Sequence, residues 1–161
     1  MRSAAFWLRL GGWILLAGGP AHLVGHIAGK SRPPESPTEV ELFRLVRQYK
    51  FHLSGLERSY ENIHDGFSLS MAALSLLAGL LVLLAARHAR SAPTLVHEMA
   101  IAGASGCAVL AILNLVYTIP PPAVLYALAA LAFVACIVTA RASAYRDVPG
   151  ARGAGQPGRE G

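Results

Sequence analysis

Two histidines in the stretch AHLVGHIAG, residues 21–29, have the type and spacing needed for chemistry. His22 and His26 stand one helical turn apart, so on a helix both imidazoles project from the same face. Such a pair can bind a metal or haem, but zinc sites need a third and a fourth ligand. We expect structural pairing or a small-molecule site here, and a metal on His22 and His26 stays the alternative. The sequence indicates no particular cofactor.

A second group of polar side chains lies at the start of a long apolar stretch, and most of its members stand three or four positions apart. The group consists of Glu57, Arg58, Glu61, His64 and Asp65. On a helix this spacing produces one polar ridge, and lipid penalises each exposed ionisable group by a few kcal/mol. We therefore expect the ridge to face the two histidines, with either histidine contacting Glu61, His64 or Asp65.

Asn114, near the end of a later apolar stretch, is expected at the same depth as this ridge. A cavity bounded by these side chains is typical of a binding site for a lipid or another apolar small molecule. The candidate ligand-binding set is therefore His22, His26, Glu57, Arg58, Glu61, His64, Asp65 and Asn114.

The composition indicates that the elements positioning these residues lie in a membrane. The chain of 161 residues is 54% hydrophobic and 14% charged, with a mean hydropathy of +0.47, whereas soluble proteins carry about a quarter charged residues. Charged residues are scarce because the chain contains long apolar stretches, which are typical of membrane spans. The formal net charge of +5 therefore does not indicate nucleic acid, and the lipid bilayer is the expected partner.

Four segments are predicted to cross the membrane, since a span needs about 20 mostly apolar residues. They are residues 5–28, 67–86 (its helix starting as early as 56), 99–119 and 123–140. The prolines at 120–122 predict an extended turn that joins the last two spans into an antiparallel hairpin. The expected fold is all-α, a four-helix transmembrane bundle. The first segment has a competing interpretation as a secretory signal, because small residues near Ala21 follow a charged start and a short apolar middle.

The polar segment between the first two spans, residues 29–66, is predicted to add an amphipathic helix at the membrane interface. Ser36 or Thr38 is expected to be its N-cap. Apolar residues then recur at spacings of three and four from Leu42 to Phe67, which predicts one continuous apolar helix face. This face is suited to the surface of the bundle or of the bilayer.

A single helix over this whole stretch and the second span would be more than twice as long as the bilayer is thick. Ser54 and Gly55 have the composition of a kink. We therefore expect the amphipathic helix over about 38–53 and a separate spanning helix that starts near Leu56.

Small residues in the third span predict a face on which helices approach closely. We expect leucine at Gly103 or Gly106 to destabilise the bundle and leucine at Val109 to be tolerated. Cys107 and Cys136 fall inside apolar runs and are expected to be small buried side chains.

The expected location is the inner membrane of a bacterial cell, in a multi-pass arrangement with both termini in the cytoplasm. Lys and Arg near the span ends number eight on the side of the termini and six on the other side, and positive charge favours the cytoplasmic side. The predicted membrane domain covers residues 1–145. Residues 146–161, rich in Gly, Pro and Arg, are expected to be a disordered tail.

The stretches HLVGH and SGLERSYENIHDGFSLS, the second leading into an uncharged span, resemble a family of small four-span bacterial membrane proteins with no assigned activity. The resemblance covers roughly residues 10–90. It implies the fold and the membrane location and carries no implication for chemistry.

The stretch ERSY is similar to part of the membrane-associated eicosanoid and glutathione metabolism family, whose second helix carries E-R-x-Y-R followed by Asn and Glu. Glu57, Arg58 and Tyr60 match that pattern. The chain departs from it at Glu61, Asp65 and Ser68, the positions that the resemblance implies for glutathione. The resemblance therefore implies a shared topology more than a shared activity.

Three classes of function remain open. The chain contains no P-loop, GxGxxG, GxSxG or CxxC motif, so the sequence indicates no particular enzyme chemistry. The protein is expected to bind a lipid or apolar small molecule at the outer end of the bundle. The alternatives are a membrane enzyme with His and Glu or Asp as acid and base, or an accessory subunit that docks through the amphipathic helix. A homo-oligomer or a membrane partner protein is compatible with each class.

Overall fold

The computed structural model describes residues 3–117 and 120–146, without the side chains of 53 and 144–146. The described chain is 85% helical, which confirms a helical fold. Its elements in order are α1 (Ala4–Ser31), α2 (Pro37–Gln48), β1 (Lys50–Leu53), β2 (Leu56–Ser59), α3 (Tyr60–Arg87), α4 (Pro93–Tyr117) and α5 (Pro120–Arg146). The predicted all-α class is confirmed, and the described residues add one short two-stranded hairpin to it.

Three of the described helices, α3, α4 and α5, are long and apolar enough to cross a membrane. In the most apolar 18 residues of each helix, only 33%, 11% and 33% are buried inside the protein. Most of the apolar side chains therefore need an apolar environment from outside the chain. Helix α1 is equally long, at 28 residues. It carries Arg9, Pro20 and two histidines and is not among the helices apolar enough to cross a membrane, so the fourth span stays a prediction.

The chain divides into two compact units, Met1–Ile14 with Leu80–Gly161, and Leu15–Gly79. In the first unit α4 and α5 pack along each other, which agrees with the predicted hairpin. The fully buried ring of Phe133 on α5 lies against Gly11 of α1 and Gly103 of α4. A Cβ added at either glycine would stand 2.6 or 2.7 Å from that ring, so both helices approach α5 closely because these positions lack a side chain.

The prediction for Gly106 is wrong. A Cβ at Gly106 meets no described atom within 4 Å, whereas one at Gly103 meets the Phe133 ring. On a helix, residues three apart lie on similar but not identical faces, and here only Gly103 points at the neighbouring helix. Cys107 and Cys136 are buried as predicted.

In the second unit the C-terminal half of α1 packs antiparallel to the N-terminal half of α3. The helices come closest at Gly19, where an added Cβ would stand 2.7 Å from the backbone carbonyl oxygen of Ala72 and 2.7 Å from Leu76. The absence of a side chain at Gly19 therefore sets the separation of the two helices, and with it which polar residues further along α1 and α3 meet.

Helix α2 begins as the sequence predicts. Ser36 is the N-cap, its side chain accepting a hydrogen bond from the Glu39 backbone N–H at 3.2 Å, and Pro37 occupies the first helical position, where its missing N–H costs no hydrogen bond. The helix ends at Gln48, five residues earlier than predicted. Tyr49 adopts an extended conformation and its N–H donates to the Leu45 carbonyl at 2.8 Å.

Residues 50–59 form a β-hairpin, which corrects both the predicted helix to about 53 and the predicted span start near Leu56. Strands β1 and β2 pair antiparallel, Phe51 facing Arg58 in register, for example. The two-residue turn has positive φ at both Ser54 (52°) and Gly55 (80°), the combination that matches the twist of a hairpin. The Ser-Gly pair breaks the helix as predicted, but it reverses the chain instead of kinking it.

Helix α3 begins at Tyr60 because Ser59 and Asn62 cap it reciprocally. The Asn62 N–H donates to the Ser59 hydroxyl at 3.2 Å, and the Ser59 N–H donates to the Asn62 side chain at 3.1 Å. This is the arrangement of a capping box with asparagine as its third helical residue. The apolar spacing that continues through Leu53 and Leu56 is therefore shared by four separate elements, α2, β1, β2 and α3, and does not describe one helix face.

The three prolines at 120–122 are the first turn of α5 and not the predicted extended turn. The first N–H groups of a helix have no partner within it, so prolines are tolerated there. Helix α5 continues to Arg146, the first residue of the predicted disordered tail. The rest of that tail, residues 147–161, lies outside the described residues.

Candidate functional site

A row of polar contacts joins α1 and α3 within the second unit, and we call it the polar ladder. Its members are His22, His26 and Lys30 on α1 and Glu61, His64, Asp65 and Ser68 on α3. The three α1 residues are each four positions apart, so they share one helix face. Because the helices are antiparallel, each successive turn of α1 towards its C-terminus contacts a turn of α3 that lies closer to the N-terminus of α3.

The first contact of the ladder joins His22 to Ser68. The His22 Nε2 atom and the Ser68 hydroxyl are hydrogen bonded at 3.1 Å, the donor depending on the ring tautomer. His22 is therefore not the histidine that contacts the predicted ridge, because the register of the helices places a hydroxyl at this level. The pair satisfies both polar groups between two helices.

The second contact brings His26, His64 and Asp65 together, which confirms the predicted pairing of a histidine with this ridge. The His26 Nε2 atom lies 3.2 Å from Asp65 Oδ1, and the two imidazole rings are 5.4 Å apart between centroids. The His26 side chain is 8% exposed and that of Asp65 is 29% exposed. Two imidazoles and one carboxylate, each able to donate a lone pair, therefore lie close together at a site from which water is partly excluded.

The third contact is a network of ion pairs. Lys30 Nζ donates to Asp65 Oδ2 at 2.7 Å and lies 3.2 Å from Glu61 Oε1, which also lies 3.3 Å from Arg47 Nε. Two cations and two carboxylates therefore balance in charge. The network ties α2 to the ladder, because Arg47 belongs to α2.

A groove of about 460 Å³ opens beside this network, and we call it the basic groove. Four cations and four other side chains line it: Lys30, Arg32, Arg44, Arg47, Pro34, Val40, Phe43 and Gln48. No carboxylate is among the described residues that line it. The four cations are between 38% and 56% exposed, so their charged ends are accessible to an anion.

The carboxylates that pair with these cations lie outside the lining of the groove. Arg44 binds Glu41 through two nitrogens, at 2.5 and 2.8 Å. This hydrogen bonding lowers the pKa of Glu41 and raises that of Arg44. Arg32 contacts Glu39 and Glu35, whose charges raise the pKa of the Arg32 guanidinium. Both arginines therefore stay charged and held in place.

Aromatic side chains gather beside the hairpin. The ring of Tyr49 stacks on those of Phe51 and Tyr60, with centroids 6.5 and 6.2 Å away, and the Phe51 and Tyr60 centroids are 5.0 Å apart. Tyr49 and Tyr60 are both 58% exposed. We call these three residues the aromatic trio. It presents apolar rings and polar hydroxyls on one exposed surface.

The structure brings together five of the eight predicted site residues and leaves three outside. His22, His26, Glu61, His64 and Asp65 belong to the polar ladder. Glu57 and Arg58 lie on strand β2 and are exposed, with the Arg58 guanidinium donating to the Glu57 carbonyl at 2.9 Å. They are not on the predicted helical ridge, and they do not have the helical placement that the glutathione-family resemblance implies.

Asn114 is the third residue outside the ladder. It lies on α4 in the first unit, where its side-chain amide donates to the Leu110 carbonyl at 2.8 Å. This satisfies the amide locally, as Ser and Asn side chains commonly do within helices.

Sequence reasoning missed the residues that connect the ladder to the groove. Lys30 was detectable, because it continues the spacing of His22 and His26 by four. The basic residues of α2, Arg44 and Arg47, also share a face with each other. Nothing in the local spacing indicated that this face and Lys30 would line the same groove.

Comparisons with protein-family models, with curated proteins and with solved structures find no match for the chain.

Proposed function

We propose that this membrane protein binds the head group of an anionic phospholipid in the basic groove. The observation that carries the proposal is the lining of the groove: four accessible cations together with Pro34, Val40 and Phe43. A lipid phosphate needs cationic donors, and Arg is particularly suited to it because its guanidinium can donate two parallel hydrogen bonds. The adjoining glycerol and the start of the acyl chains need the apolar wall that Val40 and Phe43 supply.

The surroundings of the groove suit a membrane interface. Leu42 and Leu45, three positions apart on one face of α2, are 54% and 47% exposed, which is the arrangement of a helix lying in the interface with its apolar face in lipid. The aromatic trio supports the same placement, because Tyr rings are enriched where hydrocarbon meets head groups.

The existing ion pairs do not prevent binding. An exposed ion pair such as Arg44 with Glu41 contributes little to stability, because water screens the two charges. A phosphate offers each arginine a doubly hydrogen-bonded partner of its own. Replacement of the Glu41 carboxylate by a lipid phosphate as the partner of Arg44 therefore costs little free energy.

The test is a titration of the purified full chain in neutral detergent with short-chain phosphatidylglycerol and, in parallel, phosphatidylcholine. We expect tighter binding of phosphatidylglycerol, and about fivefold weaker binding for Arg44→Gln or Arg47→Gln, from roughly 1 kcal/mol per basic residue. Arg58→Gln is the matched control, because Arg58 is exposed on β2 and does not line the groove. Equal affinity for both lipids, or an equal loss in the control, would contradict the proposal.

A second candidate function is docking to another membrane protein, favoured by the same exposed apolar face of α2. This would be an accessory role, and it predicts a stable complex with that protein that does not depend on the basic groove. Leu42→Ser and Leu45→Ser would then release a partner during purification while leaving phosphatidylglycerol binding in the groove unchanged.

We further propose that α1 is a fourth span and that both termini lie in the cytoplasm of a bacterial cell. Helix α1 is about 42 Å long at 1.5 Å per residue, enough to cross the hydrocarbon. The bias of basic residues toward the termini supports this orientation. It places the basic groove and the aromatic trio on the outer side of the inner membrane.

The orientation predicts which positions a membrane-impermeant thiol reagent reaches in intact cells. We expect Lys50→Cys, on exposed β1, to be labelled and Gly155→Cys to be labelled only after lysis. The native Cys107 and Cys136 are 4% and 0% exposed, which keeps the background low. Labelling of Gly155→Cys in intact cells would show that the orientation is reversed.

A further inference from the structure

We propose that His26, His64 and Asp65 form a binding site for a Zn²⁺ ion, distinct from the lipid groove. One ligand atom from each residue lies within 4.8 Å of the other two. Two imidazole nitrogens and one carboxylate oxygen are ligands that Zn²⁺ prefers, and three protein ligands with a fourth position left for water are the usual set of an open zinc site.

The spacing of the closest pair fits this ion. His26 Nε2 and Asp65 Oδ1 are 3.2 Å apart. Two ligands on a tetrahedral ion with bonds of about 2.0–2.1 Å stand about 3.3 Å apart. His64 is exposed on the same turn of α3 as Asp65, so a rotation of its side chain is enough to bring the third nitrogen to the ion.

The state of the Asp65 carboxylate is a second, independent observation. Its Oδ1 atom is buried and has no hydrogen bond among the described residues, although His26 Nε2 is close by. A carboxylate oxygen that is buried without a hydrogen bond costs free energy, and the His26 Nε2 atom 3.2 Å away does not form one. A cation bound between Oδ1 and the two imidazoles supplies a partner for this oxygen.

Lys30 and Glu61 act around the site without ligating the ion. Lys30 donates to Asp65 Oδ2 at 2.7 Å and thereby holds the carboxylate with Oδ1 toward the histidines. Ligating carboxylates are commonly held by such an outer hydrogen bond. Glu61 lies 3.2 Å from Lys30 Nζ and reduces the repulsion between this ammonium and the ion.

The proposal changes the interpretation of the HxxxH pair. His26 is a ligand, but His22 is not, since its ring is hydrogen bonded to Ser68. The metal set therefore combines one residue of the pair with two residues of α3, and a variant at His22 separates the two interpretations.

The test uses the purified full chain in detergent, stripped with a chelator and then titrated with Zn²⁺ against a chromophoric competitor. We expect one Zn²⁺ per chain, a higher melting temperature with Zn²⁺, and the absorption of tetrahedral Co²⁺ when cobalt is substituted. His26→Gln, His64→Gln and Asp65→Asn should each weaken Zn²⁺ binding by more than about 100-fold, beyond the loss typical of an outer-shell change. His22→Gln and the exposed His52→Gln should bind as the unaltered chain does.

Folding is checked separately, because Asp65→Asn also breaks the Lys30 contact. His64→Gln is the decisive variant, since His64 is exposed and its loss should leave the melting temperature of the metal-free protein unchanged. Unaltered Zn²⁺ binding in His64→Gln and His26→Gln, or an equal loss in His22→Gln, would overturn the proposal and leave the cluster as an ion pair between helices.

Discussion

We expect Gly19→Leu to lower the free energy of unfolding by about 3 kcal/mol, at the upper end of the usual cost of overpacking. An added Cβ there meets the Ala72 carbonyl oxygen and Leu76, both at 2.7 Å. A flexible side chain can turn away from such a clash, but a backbone oxygen cannot, so α1 and α3 must separate. Thermal or denaturant unfolding of the purified protein in detergent measures the effect.

Gly25→Leu is the matched control on the same helix. A Cβ at Gly25 has no described atom within 4 Å, so this change should leave stability unaltered or raise it slightly, since leucine favours a helix over glycine by about 0.8 kcal/mol. If both substitutions had the same effect, the close approach of α1 and α3 would be wrong, and the ladder contacts that depend on it would need to be reconsidered.

The second large effect is expected at Gly103. Gly103→Leu should destabilise the first unit by about 1–3 kcal/mol, because the Phe133 ring lies 2.7 Å from the position of an added Cβ. The ring has no direction in which to move, since it is fully buried and Gly11 of α1 lies against it as well. Differential scanning calorimetry of the purified protein in detergent measures the change in melting temperature.

Two further variants identify the cause. Gly106→Leu, three residues away on the same helix, should be tolerated because the space there is open. Phe133→Leu should recover part of the loss in the Gly103→Leu protein, since a smaller side chain relieves the clash. Absence of any recovery would indicate that the loss arises elsewhere on α4.

Much of the fold follows from composition and local spacing. Long apolar stretches of low charge predict helices at membrane depth, because in lipid each backbone N–H and C=O must be bonded within the chain. The three most apolar stretches are indeed helices able to cross a membrane. The start of α2 was also predictable, because Ser36 followed by Pro37 and Glu39 is a local signal of a helix N-terminus.

The hairpin at 50–59 shows where local periodicity misleads. Spacings of three and four continue through it, and only the Ser-Gly turn and the Ser59–Asn62 cap distinguish it from a helix. Both signals lie in the sequence and were outweighed by the apolar pattern. A helix predicted from the spacing of apolar residues over a long stretch can therefore join separate elements in which that spacing happens to continue.

The sequence alone determined that His22 and His26 share a helix face and that Glu61, His64 and Asp65 lie on another. Helical geometry sets the direction of each side chain from its position in the chain. An apolar environment favours contact between two such polar faces, because an unpaired ionisable group there is costly. The confirmed contact between His26 and Asp65 follows from these two facts.

Only the tertiary structure decided which residue meets which. The register of α1 against α3 depends on the contact of Gly19 with Ala72, which are more than 50 positions apart in the chain. In this register His26 contacts Asp65 and His22 contacts Ser68. The basic groove likewise exists only because α2 folds back beside Lys30, with Arg47 reaching Glu61 on α3. Local spacing specifies the face on which a side chain lies, whereas the partner across a helix interface is specified by steric fit between distant segments.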